Sequence, residues 1–197
     1  MILLLLSYLF GLKPQFYALS SLVIPGTGEL LLKEKKGEYF IYSDIIFLSF
    51  YQTFNFLSKK ENENAKIFAC QYAKANPLQN EKYFNLLETY SSSEEYNKDV
   101  LREARDKFPE DPEKQKEYLK KNGYFDKDSW HWENDSLRMD YFKKRREARN
   151  KKMVSSFFLS GSILLRLGSF LNCLFLSKSK KISFEFNPSG FKVSYNF

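Results

Sequence analysis

The residues most able to do chemistry here are the few charged ones set in apolar sequence. Asp44 lies in the run 39–57, YFIYSDIIFLSFYQTFNFL, and Arg166 in the run 153–176, MVSSFFLSGSILLRLGSFLNCLFL, which also holds Asn172. A charge at the centre of a membrane helix costs about 2.5–3.5 kcal/mol on insertion scales, so each needs a partner or a task. In an antiparallel helical hairpin Asp44 and Arg166 differ in height by only about 5 Å, at 1.5 Å per residue. The two can meet, and Asn172 can join them from the same inner face. The patch Asp44–Arg166–Asn172 reads in two ways. It is either a charge relay or ligand site, or an ion pair that makes two costly residues tolerable.

The other reactive residue types do not assemble. His131 is the single histidine, set between Trp130 and Trp132. A metal site needs several ligands, so these three read instead as interfacial anchors, together with Arg145, Arg146 and Arg149 of the basic stretch YFKKRREARNKK. Asp126-Lys127-Asp128 does not continue as a calcium loop, and Gly26-Thr27-Gly28 lacks the Lys-Ser/Thr step of a phosphate loop. One histidine and two cysteines, Cys70 and Cys173, give no nucleophile–base pair, and the cysteines are not expected to bridge. The expectation is no enzyme, no cofactor and no metal.

The elements that must position Asp44 and Arg166 are two apolar helices. The run 39–57 spans about 28 Å, close to a hydrocarbon thickness. Lys33, Lys35 and Lys36 precede it and Lys59 and Lys60 follow it. Its polar residues leave open a buried helix in a soluble domain. The run 153–176 is the stronger span, and Gly161, Gly168 and Asn172 share a face on which a second backbone can come close. Ahead of both, residues 1–12 (MILLLLSYLFGL) are too short to span. They read as a signal-like segment or an uncleaved helix dipping into the membrane. Pro25, Gly26 and Gly28 then break the chain into helix, break, helix.

Charge follows the same division. Of the net +7, residues 1–57 carry none, 58–152 carry +3 and 153–197 carry +4. Basic excess beside apolar runs fits anionic lipid better than nucleic acid. The lysines flanking the two runs leave orientation open. The heavy run 143–152 leans toward a cytoplasmic middle segment.

Residues 58–152 read as short helices. Ser91/Glu94 and Ser92/Glu95 have capping-box spacing. Tyr96, Val100, Ala104 and Phe108 form one apolar stripe. Asp111-Pro112 starts a helix that ends near Asn122-Gly123, Asn76-Pro77 marks a boundary, and Asp128 or Ser129 is expected to cap the last long helix. The many tyrosines of this segment are expected at its surface, where they suit a partner. The tail KISFEFNPSGFKVSYNF alternates as a short β-hairpin that needs a surface to pack on.

The stretch 21–30, SLVIPGTGEL, leads into Lys35-Lys36-Gly37 and an aromatic-rich span. It resembles a group of uncharacterised bacterial membrane proteins with an S-L-x-x-P-G-x-G-x-L motif and two membrane helices. Trp130, Trp132, Tyr141, Arg145, Arg146 and the span holding Arg166-Leu167 look like the same group. The resemblance implies a bacterial membrane protein and lends no activity.

The sequence therefore predicts a mainly α protein: a helical membrane hairpin, a helical middle domain and a short C-terminal β-hairpin. Residues 1–36 are the N-terminal apolar and interfacial segment, 37–58 the first membrane helix, 59–152 the polar helical domain, 153–177 the second membrane helix and 178–197 the hairpin. The function expected is a non-enzymatic scaffold or interaction module of the bacterial envelope, in the inner membrane. Its partners are membrane lipid and a protein or a second copy, with no nucleic acid. The alternative is a lipid- or small-substrate-binding protein using the polar patch, and a soluble protein with both runs buried stays open.

Overall fold

The structure, a computed structural model, describes residues 14–179 and the backbone of 182–187 and 190–195. The apolar segment 1–12, expected to be signal-like or membrane-dipping, lies outside the described residues, as do the side chains of the tail. The chain is mainly helical. Its helices are α1 (Pro14–Val23), α2 (Thr27–Leu31), α3 (Lys36–Ala73), α4 (Glu81–Thr89), α5 (Ser93–Lys107), α6 (Pro112–Asn122) and α7 (Asp135–Ser179), with a 3-10 turn at Asp126–Asp128. Backbone contacts divide the chain into two compact units, Met1–Phe54 with Met153–Phe197, and Asn55–Lys152.

In the first unit, α1 and α2 are separated by a break that only glycine permits. Gly26 has φ +94°, and a Cβ there would lie 2.0 Å from the carbonyl oxygen of Gly37. A Cβ on Gly28 would lie 2.1 Å from the Tyr17 carbonyl oxygen and 2.7 Å from the Cys173 sulfur. The Pro-Gly-x-Gly spacing is thus a demand for close backbone approach.

The face that α7 buries in this unit differs from the expected Gly161–Gly168–Asn172 face. Ser155, Ser162 and Ser169, at steps of seven, are buried. Steps of seven keep one seam facing a partner helix. The Ser155 hydroxyl donates to the Tyr51 carbonyl at 3.2 Å, and that of Ser162 donates to Asp44. Tyr51 and Asp44 are likewise seven apart, so the two helices run antiparallel in register. Gly161 does admit a neighbour, the Phe47 ring, whereas nothing among the described residues approaches the Cβ position of Gly168.

The second unit is built around an extended strip, 129–132. Sequence reading places the start of the last helix at Asp128 or Ser129; it begins at Asp135, where Asn134 accepts from the Leu137 N–H at 3.0 Å. The backbone of the strip is spent elsewhere. The Trp130 carbonyl accepts from Ser93 N–H at 3.0 Å, His131 N–H donates to the Ala73 carbonyl at 3.0 Å, and Trp132 N–H donates to the Ser91 carbonyl at 2.9 Å. These bonds satisfy helix-terminal groups of α3 and α5 that would otherwise be orphaned.

Trp130 and Trp132 are therefore core residues, contrary to their expected role as interfacial anchors. Their ring N–H groups donate to the Tyr90 carbonyl at 3.3 Å and the Leu87 carbonyl at 3.0 Å, which is what a buried indole requires. Ala65, Ala69 and Ala73, one face of α3, leave room for these rings and for Tyr83, Phe84 and Tyr141. Tyr83 meets Trp130 edge to face, with centroids 5.3 Å apart. The Tyr141 hydroxyl donates to the Phe84 carbonyl at 2.8 Å. The expectation of surface tyrosines fails for most of them for the same reason: Tyr83 and Tyr141 are fully buried, and Tyr90, Tyr96 and Tyr124 pack partly against the core, whereas Tyr72 is exposed.

The short helices start on side-chain caps. Asn80 accepts from Tyr83 N–H, Ser92 from Glu95 N–H and Asp111 from Lys114 N–H. Glu95 closes back on the Ser91 N–H at 2.8 Å, one residue earlier than the reciprocal bond of a capping box.

Candidate functional site

Two polar constellations stand out, one in each unit. In the first, Asp44 and Arg166 do meet: Arg166 Nη2 donates to Asp44 Oδ2 at 3.1 Å. Asp44 is buried and Arg166 about a third exposed. Ser162 supplies a second donor to the carboxylate. Arg166 Nε is buried with no hydrogen-bond partner among the described residues.

Asn172 does not join this pair. Its amide donates to Glu29 Oε1 at 3.1 Å. Glu29 is fully buried and is the site residue that the sequence reading missed. Ser169 Oγ lies 2.9 and 2.8 Å from its two carboxyl oxygens, so one hydroxyl proton is shared between them. Ser21 Oγ donates to Oε2 at 3.0 Å.

Both serines are themselves held by backbone at the start of α2. Gly26 N–H donates to Ser169 Oγ at 2.7 Å and Gly28 N–H to Ser21 Oγ at 3.0 Å. Each serine thus accepts from a glycine N–H and donates to Glu29. Two relays carry orphan backbone donors onto one carboxylate, and both glycines must lack a Cβ for the chain to pass so close. The arrangement locks the Pro-Gly break to α7 within this unit. Its donors are all engaged, which suits a structural clamp better than a site awaiting a substrate. Glu29 was findable on the grounds that singled out Asp44, because it is an acid set between apolar residues.

The second constellation surrounds Arg145, expected at a lipid surface and found buried in the second unit. Its Nε donates to Glu88 Oε1 at 3.1 Å, its Nη1 to Glu81 Oε2 at 2.9 Å and to Asn62, and its Nη2 to Asn85 Oδ1 at 2.5 Å. A guanidinium has five N–H donors in a fixed fork, and here four acceptors surround it. Arg149, expected as an anchor, is half exposed and forks both Nη groups onto Glu88 at 2.6 and 2.8 Å. Arg146 and His131 are exposed.

Burial pushes the Glu81 carboxyl upward, but hydrogen bonds from Lys66, Arg145 and Asn62 outweigh it and hold the group at about 2. Arg145 is desolvated too, yet its charge is reinforced by Tyr141, Glu81 and Glu88, which push it upward. Burial raises Tyr83 to about 12. No group of three His, Cys, Asp or Glu residues that could hold a metal occurs among the described residues.

No family model matches the chain, and neither a curated protein nor a solved structure matches it.

Replacing Glu29 by Ala leaves the donors of Ser21, Ser169 and Asn172 facing an apolar gap, each worth about 1–3 kcal/mol when orphaned. Glu29→Ala is expected to lower the thermal unfolding temperature more than Glu29→Gln, which retains one carbonyl acceptor; equal losses would mean that the hydrogen bonds do not matter. For Glu81 the sign follows from its depressed folded value. Its contribution is present above the ordinary value of 4.5 and is lost as pH falls from there toward about 2. Urea midpoints measured across that interval should fall for the native chain and fall less steeply for Glu81→Gln.

Proposed function

We propose that the chain is a bacterial envelope membrane protein of non-enzymatic character, whose first unit is an antiparallel membrane hairpin and whose second unit is a rigid scaffold or interaction module. The observation that carries this reading is the inverted polarity of the first unit. Its buried groups include Glu29, Asp44, Ser155, Ser162 and Ser169, while Tyr39, Phe157, Leu164 and Phe175 are 74%, 71%, 67% and 72% exposed. Water disfavours that arrangement on both counts. Hydrocarbon favours it, because the apolar faces need no cover and the polar groups find partners inside.

Among the described residues one helix, spanning Asp135–Leu176 within α7, is long and apolar enough to cross a membrane. At 45 residues and 1.5 Å each, α7 is about 67 Å long, more than twice a hydrocarbon core. The polar run 39–57 within α3 is the partner span in this reading, made tolerable by the Asp44–Ser162–Arg166 contacts. The tail completes it as a β-hairpin, supported by the antiparallel register of Ile182–Asn187 with Gly190–Tyr195, Ile182 opposite Tyr195.

The Glu29 and Asp44 contacts stabilise the fold, which weighs against a small-substrate site between the helices.

Membrane fractionation followed by carbonate extraction at high pH tests the reading. The chain should stay in the pellet and require detergent. Release as a soluble, monodisperse species would make the exposed apolar faces the covered core of a soluble assembly.

A further inference from the structure

Within the second unit a small open cavity of about 220 Å³ is lined by Lys59, Asn62, Glu81, Arg145, Arg149 and Lys152 among others. That volume is below the range of pockets for drug-sized ligands, about 300–1,000 Å³. Four of the lining residues are cations and one is a carboxylate. Arg145 and Arg149 are held in place by Glu81 and Glu88, so they form a preorganised floor. Glu81 also serves Lys66, at 2.8 Å. Lys66 also meets Glu63 at 3.4 Å, so these three cations are balanced by three carboxylates and the positive excess comes from the rim.

The rim adds Lys59 and Lys152. Lys152 donates to the amide oxygen of Asn55 at 2.8 Å, and Lys59 is exposed. Both lie within two residues of an apolar run, Lys59 just after 39–57 and Lys152 just before 153–176. At 1.5 Å per residue each is within about 3 Å, along its own helix, of the start of membrane-length sequence.

We propose that this cavity is a binding site for a phosphoryl oxyanion, presented as the headgroup of an anionic phospholipid. The inference rests on the membrane reading above, since that reading sets the cavity at headgroup depth. Arg145 and Arg149, held by Glu81 and Glu88, supply a fixed floor of guanidinium N–H groups, and Lys59 and Lys152 supply ammonium groups at the rim that give the cavity its positive excess. The site differs from a diffuse basic stripe because its floor is built from hydrogen-bonded guanidinium groups, that of Arg145 buried and that of Arg149 half exposed. It selects headgroup charge as well as proximity to the bilayer.

The test uses the full chain in neutral detergent, with thermal unfolding titrated by phosphatidylglycerol, by phosphatidylcholine and by inorganic phosphate. Phosphatidylglycerol should stabilise and phosphatidylcholine should not. Lys59→Gln and Lys152→Gln should each weaken the phosphatidylglycerol response about fivefold, the effect of one basic side chain at an anionic surface. Lys143→Gln, an exposed lysine on the same helix that pairs with Asp140 and does not line the cavity, should leave it unchanged. Equal stabilisation by both lipids, or equal loss in Lys143→Gln, overturns the site. Full stabilisation by inorganic phosphate overturns the lipid as its source. Carbonate extraction of the same chain separates the two levels: release from the pellet removes the membrane reading, whereas retention with no preference between lipids removes only the headgroup site.

Discussion

A carboxylate enclosed between helices has to be met by donors, and the first unit is organised by that constraint. Glu29 draws in Ser21, Ser169 and Asn172, and the two serines draw in the backbone of the Pro-Gly-x-Gly break. The glycines, the serine spacing and the acid are therefore one device. Without Gly26 and Gly28 the backbone could not pass, and without Ser169 the first free N–H of the break would have no partner. Asp44 repeats the logic with Ser162 and Arg166. Polar groups close the seam here beside the rings of Phe47, Phe50 and Phe54 on Phe158, while many other apolar side chains face outward.

The second unit follows the opposite rule. Its interior is aromatic, and its joining elements are the main-chain bonds of 129–132 together with the caps of α4, α5 and α6. The ionic cluster around Arg145 sits beside this core and is satisfied by four acceptors. A buried guanidinium held this way fixes geometry more than it adds stability. That fixity gives the neighbouring cavity a defined charged floor.

Several elements were legible in the sequence because local chemistry determines them. Asp111-Pro112 and Asn122-Gly123 bound α6 through a cap and a stop. Asp44 and Arg166 were paired from height along two antiparallel helices. Other features were not legible because distant residues decide them. Trp130 and Trp132 read as anchors by type, but their backbone is held by Ala73, Ser91 and Ser93, and that placement is tertiary. Arg145 read as a surface cation until Glu81 and Glu88 converge on it from α4. The buried face of α7 was assigned to glycines, whereas serines at steps of seven occupy it, since in this unit hydrogen bonding as well as size selects the seam.

In the proposed membrane hairpin the outer face of the first unit meets lipid while its inner seam is closed. Spin labels placed singly at Leu164 and Ser162, in a Cys70→Ser, Cys173→Ala background reconstituted in bilayers, address it directly. The label at Leu164 is expected to collide with dissolved oxygen and not with a polar nickel complex, and the label at Ser162 with neither. Free access of the polar complex to Leu164 would contradict it.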